Sequence, residues 1–187
     1  SGESIDTLMA MRHASKSGIK TIAIVNNEGS TIDREANHSI YIKAGPEIAV
    51  ASTKCFTGQL SVLISISIIL TEINNPKYKY LDILKKDIFK IPGSIAKVLK
   101  VQNEVSKLAN EIYRKSSCLY LSRGPLFPIA LEGALKLKEI SYIHAEGFSA
   151  GEMKHGPIAL IEEDLPVISL LGNDQHSTKT ISNLREA

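Results

Sequence analysis

"KTIAIVNNEGSTIDREANHSIYIK", residues 20–43, holds two short β-branched runs on either side of a polar stretch. The first, "KTIAIVN", reads as a buried strand closed by the turn residues Asn26, Asn27 and Gly29. A short turn of helix around Ser30 to Ala36 follows, and "SIYIK" reads as a second strand. A helical crossover between two strands brings the second back parallel to the first, so this stretch predicts an α/β fold with a parallel sheet.

Working outward, residues 5 to 17 place Ile5, Leu8, Met9 and Met11 on one helical face, with Gly18 as the stop. On the other side, Pro46 suits the first turn of a long helix reaching about Thr71. That helix is apolar nearly all round and is expected at the centre of the packing. "NNPKYKY" reads as a loop and Pro92-Gly93 as a second break. From Ser94, the positions Ile95, Val98, Leu99, Gln102, Val105, Leu108 and Ile112 mark one amphipathic helix. "CLYLS" is a strand, "RGPLFP" a loop, Pro128 to about Ile143 a helix, and "LPVISLL" a further strand. The last segment, "GNDQHSTKTISNLREA", echoes the first, "SGESIDTLMAMRHA", each a polar loop feeding a helix.

The totals bound the partners. With 187 residues, 43% hydrophobic and 22% charged, the chain can bury one large core or two small ones. A net charge of +2 with scattered Lys and Arg leaves no electrostatic footprint for nucleic acid, so an anionic partner should be small and locally bound. Cys55 and Cys118 sit among apolar neighbours without CxxC spacing, which suits reduced thiols in a cytoplasmic protein and offers no metal site. No targeting leader is visible, and the chain, beginning Ser-Gly-Glu, reads as an excised fragment. The apolar run Leu60 to Leu70 is about half the length of about 20 residues that a membrane span needs, so a buried helix is expected and no membrane partner.

Chemistry concentrates in "EGALKLKEISYIHAEGFSAGEMKHGP", residues 132–157, with four glutamates, three lysines and two histidines. Glu132, Lys136 and Glu139 recur at spacings of four and three, so they project from one helical face. Such a row is either a solvated set of ion pairs or a functional site. Gly133 costs about 1 kcal/mol in a helix relative to alanine, which makes sense where a close approach requires it. His155 falls in a Gly- and Ser-punctuated loop, where a histidine is either simply exposed or, within reach of a carboxylate and an ammonium, equipped to move protons around a carbonyl. His144, near the expected helix end, reads as a capping or packing group. Ser1 and Ser4 either cap the first helix or offer hydroxyls to an anion at its N-terminus. Ser52, Thr53 and Lys54, in the first turns of the long helix, are equally open.

These segments together resemble the isomerase half of the glucosamine-6-phosphate synthase family, the isomerising glutamine:fructose-6-phosphate aminotransferases. "SGES" is similar to the end of the family's Ser-Gln-Ser-Gly-Glu-Thr phosphate loop, with Ser4 in place of its threonine. "EIAVASTKCFT" is similar to its Val-Ala-Ser-Thr-Lys helix start, and "RGPLFPIALEGALKLKEISYIHAEGFSAGEMKHGPIALI" to its longest signature. The resemblance implies a sugar isomerase (SIS) fold: tandem three-layer α/β/α units with parallel sheets, both incomplete in this chain. It divides the chain into residues 1–72 as the C-terminal part of a first unit, 73–114 as a connecting segment and 115–187 as the N-terminal part of a second.

The resemblance also implies roles. Glu139 matches the base that moves a proton between sugar C1 and C2. Lys136 matches the cation beside the sugar hydroxyls, and His155 the group that assists ring opening from a neighbouring subunit. Glu132 matches an orienting position. Ser1, Ser4, Val50 and Ser52 match the phosphate- and sugar-binding positions. Implied partners are fructose 6-phosphate and glucosamine 6-phosphate, a second copy forming a homodimer, and a glutaminase domain in a longer chain. No cofactor is implied. The family's preceding loop residues and its Schiff-base lysine tail are not in this sequence, so the polypeptide alone is expected to be inactive. The competing expectations are another phosphosugar isomerase and a sugar-phosphate-sensing module, which would need the phosphate loop but not the trio Lys136, Glu139 and His155.

Overall fold

The computed structural model describes residues 2–187 and divides into two compact units, residues 2–99 and Lys100–Ala187. The first unit opens with helix α1 (Ile5–Lys16), strand β1 (Ile22–Val25), the short helix α2 (Thr31–Glu35) and strand β2 (His38–Tyr41). β1 and β2 pair in parallel, Ile22 opposite His38 and Val25 opposite Tyr41, as the two β-branched runs require. Leu8, Ala23, Val25 and Ile32 form the buried cluster that joins α1, the sheet and α2. Arg12 also bridges both carboxylate oxygens of Glu35, fastening α1 to α2.

Helix α3 (Lys54–Asn74), α4 (Leu81–Ile88) and α5 (Ile91–Val98) complete the unit. Three expectations change here. The long helix begins at Lys54 rather than Pro46, because residues 46–53 fold back on themselves. Helix α4 occupies a stretch in which only a loop and a break were expected. Pro92-Gly93 does not break the chain: Pro92 sits in the first turn of α5, where a missing N–H costs no helical hydrogen bond.

The largest correction concerns α3. Its 21 residues are long and apolar enough by composition to cross a bilayer, yet only 6% of its most apolar window is buried. A central, covered helix was expected. Four-residue strands span roughly 13 Å and the helix roughly 30 Å, so a two-stranded sheet cannot cover it. Its hydroxyls need no outside partner, since Ser61, Ser65, Ser67 and Thr71 each donate to the carbonyl four residues back.

The second unit contains α6 (Gln102–Ile112), β3 (Ser117–Ser122), α7 (Phe127–Ser141), β4 (His144–Ser149), β5 (Val167–Ser169) and α8 (Ser177–Glu186). A 3-10 turn at Leu99–Val101 separates α5 from α6, so the single amphipathic helix expected from Ser94 is two. The sheet order is β4-β3-β5, all parallel. β4 was not foreseen: "HAEGFS" mixes Glu146 and Gly147 into an apolar run, and only full pairing with β3, from Ser117 opposite His144 to Ser122 opposite Ser149, makes it a strand. Helix α7 accordingly stops at Ser141, with Tyr142 in the left-handed region at φ 62°.

Candidate functional site

In the first unit, polar groups gather at the carboxyl end of the parallel pair, the usual ligand position of open α/β sheets. Gly2 is buried there with φ 97°, and a Cβ on it would fall 2.2 Å from the Ser30 hydroxyl oxygen and 3.4 Å from Val25. Only glycine fits. The loop is tied to the start of α2: the Ile32 N–H donates to the Gly2 carbonyl at 3.0 Å and the Thr31 N–H to a Glu3 carboxylate oxygen at 2.8 Å. These bonds from Thr31 hold the Glu3 carboxyl below its usual range. Ser4 is the N-cap of α1 by backbone position, but its side chain makes no capping hydrogen bond. Its hydroxyl is exposed and uncommitted to the helix. Gly2 and Ser4 also line a cavity of about 500 Å³ that runs along α1 and β1. Ser1 lies outside the described residues.

The second group of expected ligand positions follows β2. Asn26, at the end of β1, clamps this loop by accepting from the Ala44 N–H at 3.0 Å and donating to the Gly45 carbonyl at 2.7 Å. Val50 projects almost fully into solvent at 91% exposure. Ser52 donates to a Glu47 carboxylate oxygen at 3.1 Å, and that oxygen also accepts from the Thr53 and Cys55 N–H groups at 3.3 and 3.4 Å. Glu47 therefore caps α3, a task Thr53 does not perform with its own side chain. The Cys55 thiol, the Ser52 hydroxyl and the two amides lower its carboxyl below the usual range. Asn26 and Glu47 were missed in the sequence. The one available signal was a carboxylate placed between Gly45-Pro46 and an uncapped Ser-Thr-Lys helix start.

In the second unit, α7 packs Ala130, Ala134 and Leu137 inward, yet it also shelters charges. The side chains of Lys136, Glu132 and Glu139 are only 19%, 24% and 30% exposed, while Leu131, Leu135 and Ile140 stand 41% to 67% exposed. Charged side chains seek partial burial only when they are paired. Here Lys136 Nζ donates to Glu139 Oε2 at 2.6 Å and lies 3.4 Å from Glu132 Oε1. The Glu139 hydrogen bond, and then the Glu132 charge, raise the Lys136 ammonium above its ordinary value. The row is thus not a fully solvated one. Gly133 meets the expected close approach: a Cβ there would come 2.8 Å from the Tyr120 ring of β3. Gly147 serves the same end from β4, since a Cβ would sit 3.1 Å from the Leu131 backbone.

His155 lies in a 3-10 turn, Met153–His155, anchored by the fully buried Met153 against Leu121 and Ala150. Its side chain is exposed, and among the described residues no hydrogen bond or ion pair joins it to Lys136 or Glu139. His144 is neither a cap nor a packing group: it opens β4, exposed, 3.5 Å from Glu146. The structure therefore joins Glu132, Lys136 and Glu139, sets Gly2 beside Ser30 and Val25, and ties Ser52 to Glu47.

The SIS domain model matches residues 1–68 and 111–187, most of the chain. The chain belongs to the SIS domain family. This SIS chain is 47% identical over its whole length to a glutamine–fructose-6-phosphate aminotransferase (isomerizing) of Streptomyces coelicolor, and 48% identical to that of Agrobacterium fabrum. It spans 31% of each of those proteins. Among solved structures, the C-terminal domain of glucosamine-fructose-6-phosphate aminotransferase from Francisella tularensis matches with a TM-score of 0.95 and 38% identity, covering all of this chain and 53% of that one.

Proposed function

We propose that this SIS chain belongs to the isomerase half of an isomerising glutamine:fructose-6-phosphate aminotransferase, which makes glucosamine 6-phosphate from fructose 6-phosphate and glutamine-derived ammonia. The observation that carries the reading is the half-buried Lys136–Glu139 pair at 2.6 Å, on a helix that leaves Leu131 and Leu135 exposed. A carboxylate held beside an ammonium can take a proton from one sugar carbon and return it to the next. The ammonium can steady the enolate-like charge that develops between the two transfers. A sensing module of the same fold needs neither group.

In this reading Glu139 is the base, Lys136 the electrostatic partner, Glu132 an orienting group and His155 the ring-opening group, donated by a second copy in a homodimer. Ser1, Ser4, Val50 and Ser52 bind phosphate and sugar. Residues 73–114 connect the two SIS units, consistent with the family match pausing between 68 and 111. A glutaminase domain elsewhere in the longer protein supplies ammonia, and the protein works in the cytoplasm without cofactor, metal, nucleic acid or membrane.

The test uses the full-length protein, assayed for glutamine-dependent formation of glucosamine 6-phosphate. Glu139→Gln should abolish turnover by about 10²- to 10⁴-fold, while fructose 6-phosphate still binds in a calorimetric titration. Binding without turnover in the unaltered protein would point to the sensing module instead.

A further inference from the structure

The Ser52 hydroxyl has one proton to donate and two lone pairs to offer. Its proton is directed to Glu47 Oε1 at 3.1 Å, so a ligand meeting Ser52 finds an acceptor. Three separate constraints keep that arrangement in place. Asn26 clamps Ala44 and Gly45 just before Glu47, and Lys54 Nζ donates to the Pro46 carbonyl at 2.6 Å. The Thr53 and Cys55 amides, at the positive end of the 21-residue α3, donate to that same carboxylate oxygen. A serine whose hydroxyl is oriented by a carboxylate is preorganised to receive a hydrogen bond from a sugar hydroxyl and is poorly suited to donate one to a phosphate oxygen.

We propose that Glu47 is a positioning residue for substrate: it orients the Ser52 hydroxyl as an acceptor for a sugar hydroxyl and holds the Ser52–Cys55 turn in the shape that receives the sugar. This inference rests on the proposed function and deepens it by giving Ser52 the sugar rather than the phosphate. Glu47 acts through Ser52, so its loss weakens sugar binding more than it slows chemistry.

The experiment is a double-mutant cycle in the full-length protein with Glu47→Ala, Ser52→Ala and the pair, following KM for fructose 6-phosphate, kcat and thermal midpoint. Glu47→Ala should raise KM about tenfold with kcat changed less than about threefold, the worth of one charge-assisted hydrogen bond. In the Ser52→Ala background the same change should raise KM less than about twofold, because its target is gone. Glu47→Asp should recover part of the loss. A cap with no role in binding would lower the thermal midpoint equally in both backgrounds and leave KM alone, and that result overturns the inference. An equal rise of KM in both backgrounds overturns it as well. If Glu47→Ala fails to fold, Glu47→Gln, which keeps a neutral acceptor, runs the same cycle with an expected rise of about threefold confined to the Ser52 background. A full-length protein that does not turn over fructose 6-phosphate removes the functional reading itself. Turnover lost on Glu139→Gln, alongside an unmoved KM in Glu47→Ala, removes only the role of Glu47.

Discussion

Helices α3 and α7 solve the placement of polar groups in opposite ways. In α3 the hydroxyls close on carbonyls of their own helix, and residues such as Leu63, Ile69, Leu70 and Ile73 stand 49% to 70% exposed within the unit. In α7 three charges close on one another, at the cost of partial burial, while Leu131 and Leu135 take exposed positions. A polar side chain satisfied by the backbone one turn away says little about function. A cluster of charges that stays half-buried beside exposed leucines has a use that stability alone does not require, since burying ion pairs rarely stabilises a fold.

Substitutions can break or sharpen that contrast. The largest effect is expected at Lys136: Lys136→Met in the full-length protein should lower kcat by about 10²- to 10³-fold, the loss typical of one group that stabilises developing negative charge. Steady-state kinetics checks this, and a kcat within about threefold of the unaltered protein would make the α7 row structural. Next comes the contact beneath that row. Gly133→Val places branched carbons where a single Cβ already meets Tyr120 at 2.8 Å, and should destabilise by about 1–3 kcal/mol in urea denaturation.

A smaller effect concerns alkaline pH. Because Glu139 and Glu132 raise the folded Lys136 value above the ordinary 10.5, the pair's stabilising contribution is complete below the unfolded value. It disappears as pH rises through the higher folded value. The stability gap between unaltered protein and Lys136→Met should therefore be constant near neutrality and shrink above about pH 10.5. A gap that stays level across that window would mean the ion pair adds nothing. The smallest effect belongs to α3, where Ser65→Ala removes only a bond to the Ser61 carbonyl and should change stability by less than about 0.5 kcal/mol.

Much of this contrast was legible in the residues, and some was not. The α7 row could be read because its spacing is local, and Gly133 pointed to a close approach for the same reason. The exposure of α3 could not be read, since an apolar helix carries the same pattern whether or not something covers it. Glu47 was hidden because its partners lie five to eight residues ahead, at no helical or strand period. Ser4 was open between cap and ligand group until the backbone position was known and its side chain was seen not to cap.

By itself the sequence determined the alternation of β-branched strands and helices, the parallel pairing that alternation demands, and the shared face of Glu132, Lys136 and Glu139. Those are consequences of periods of two and 3.6 residues, which a linear string carries. Tertiary structure alone decided that "HAEGFS" is a strand, that Glu132, Lys136 and Glu139 are more sheltered than Leu131 and Leu135, and that Glu47 turns back onto Ser52. Each of these depends on which surfaces and donors meet in space, and burial and hydrogen-bond geometry exist only after the chain has folded.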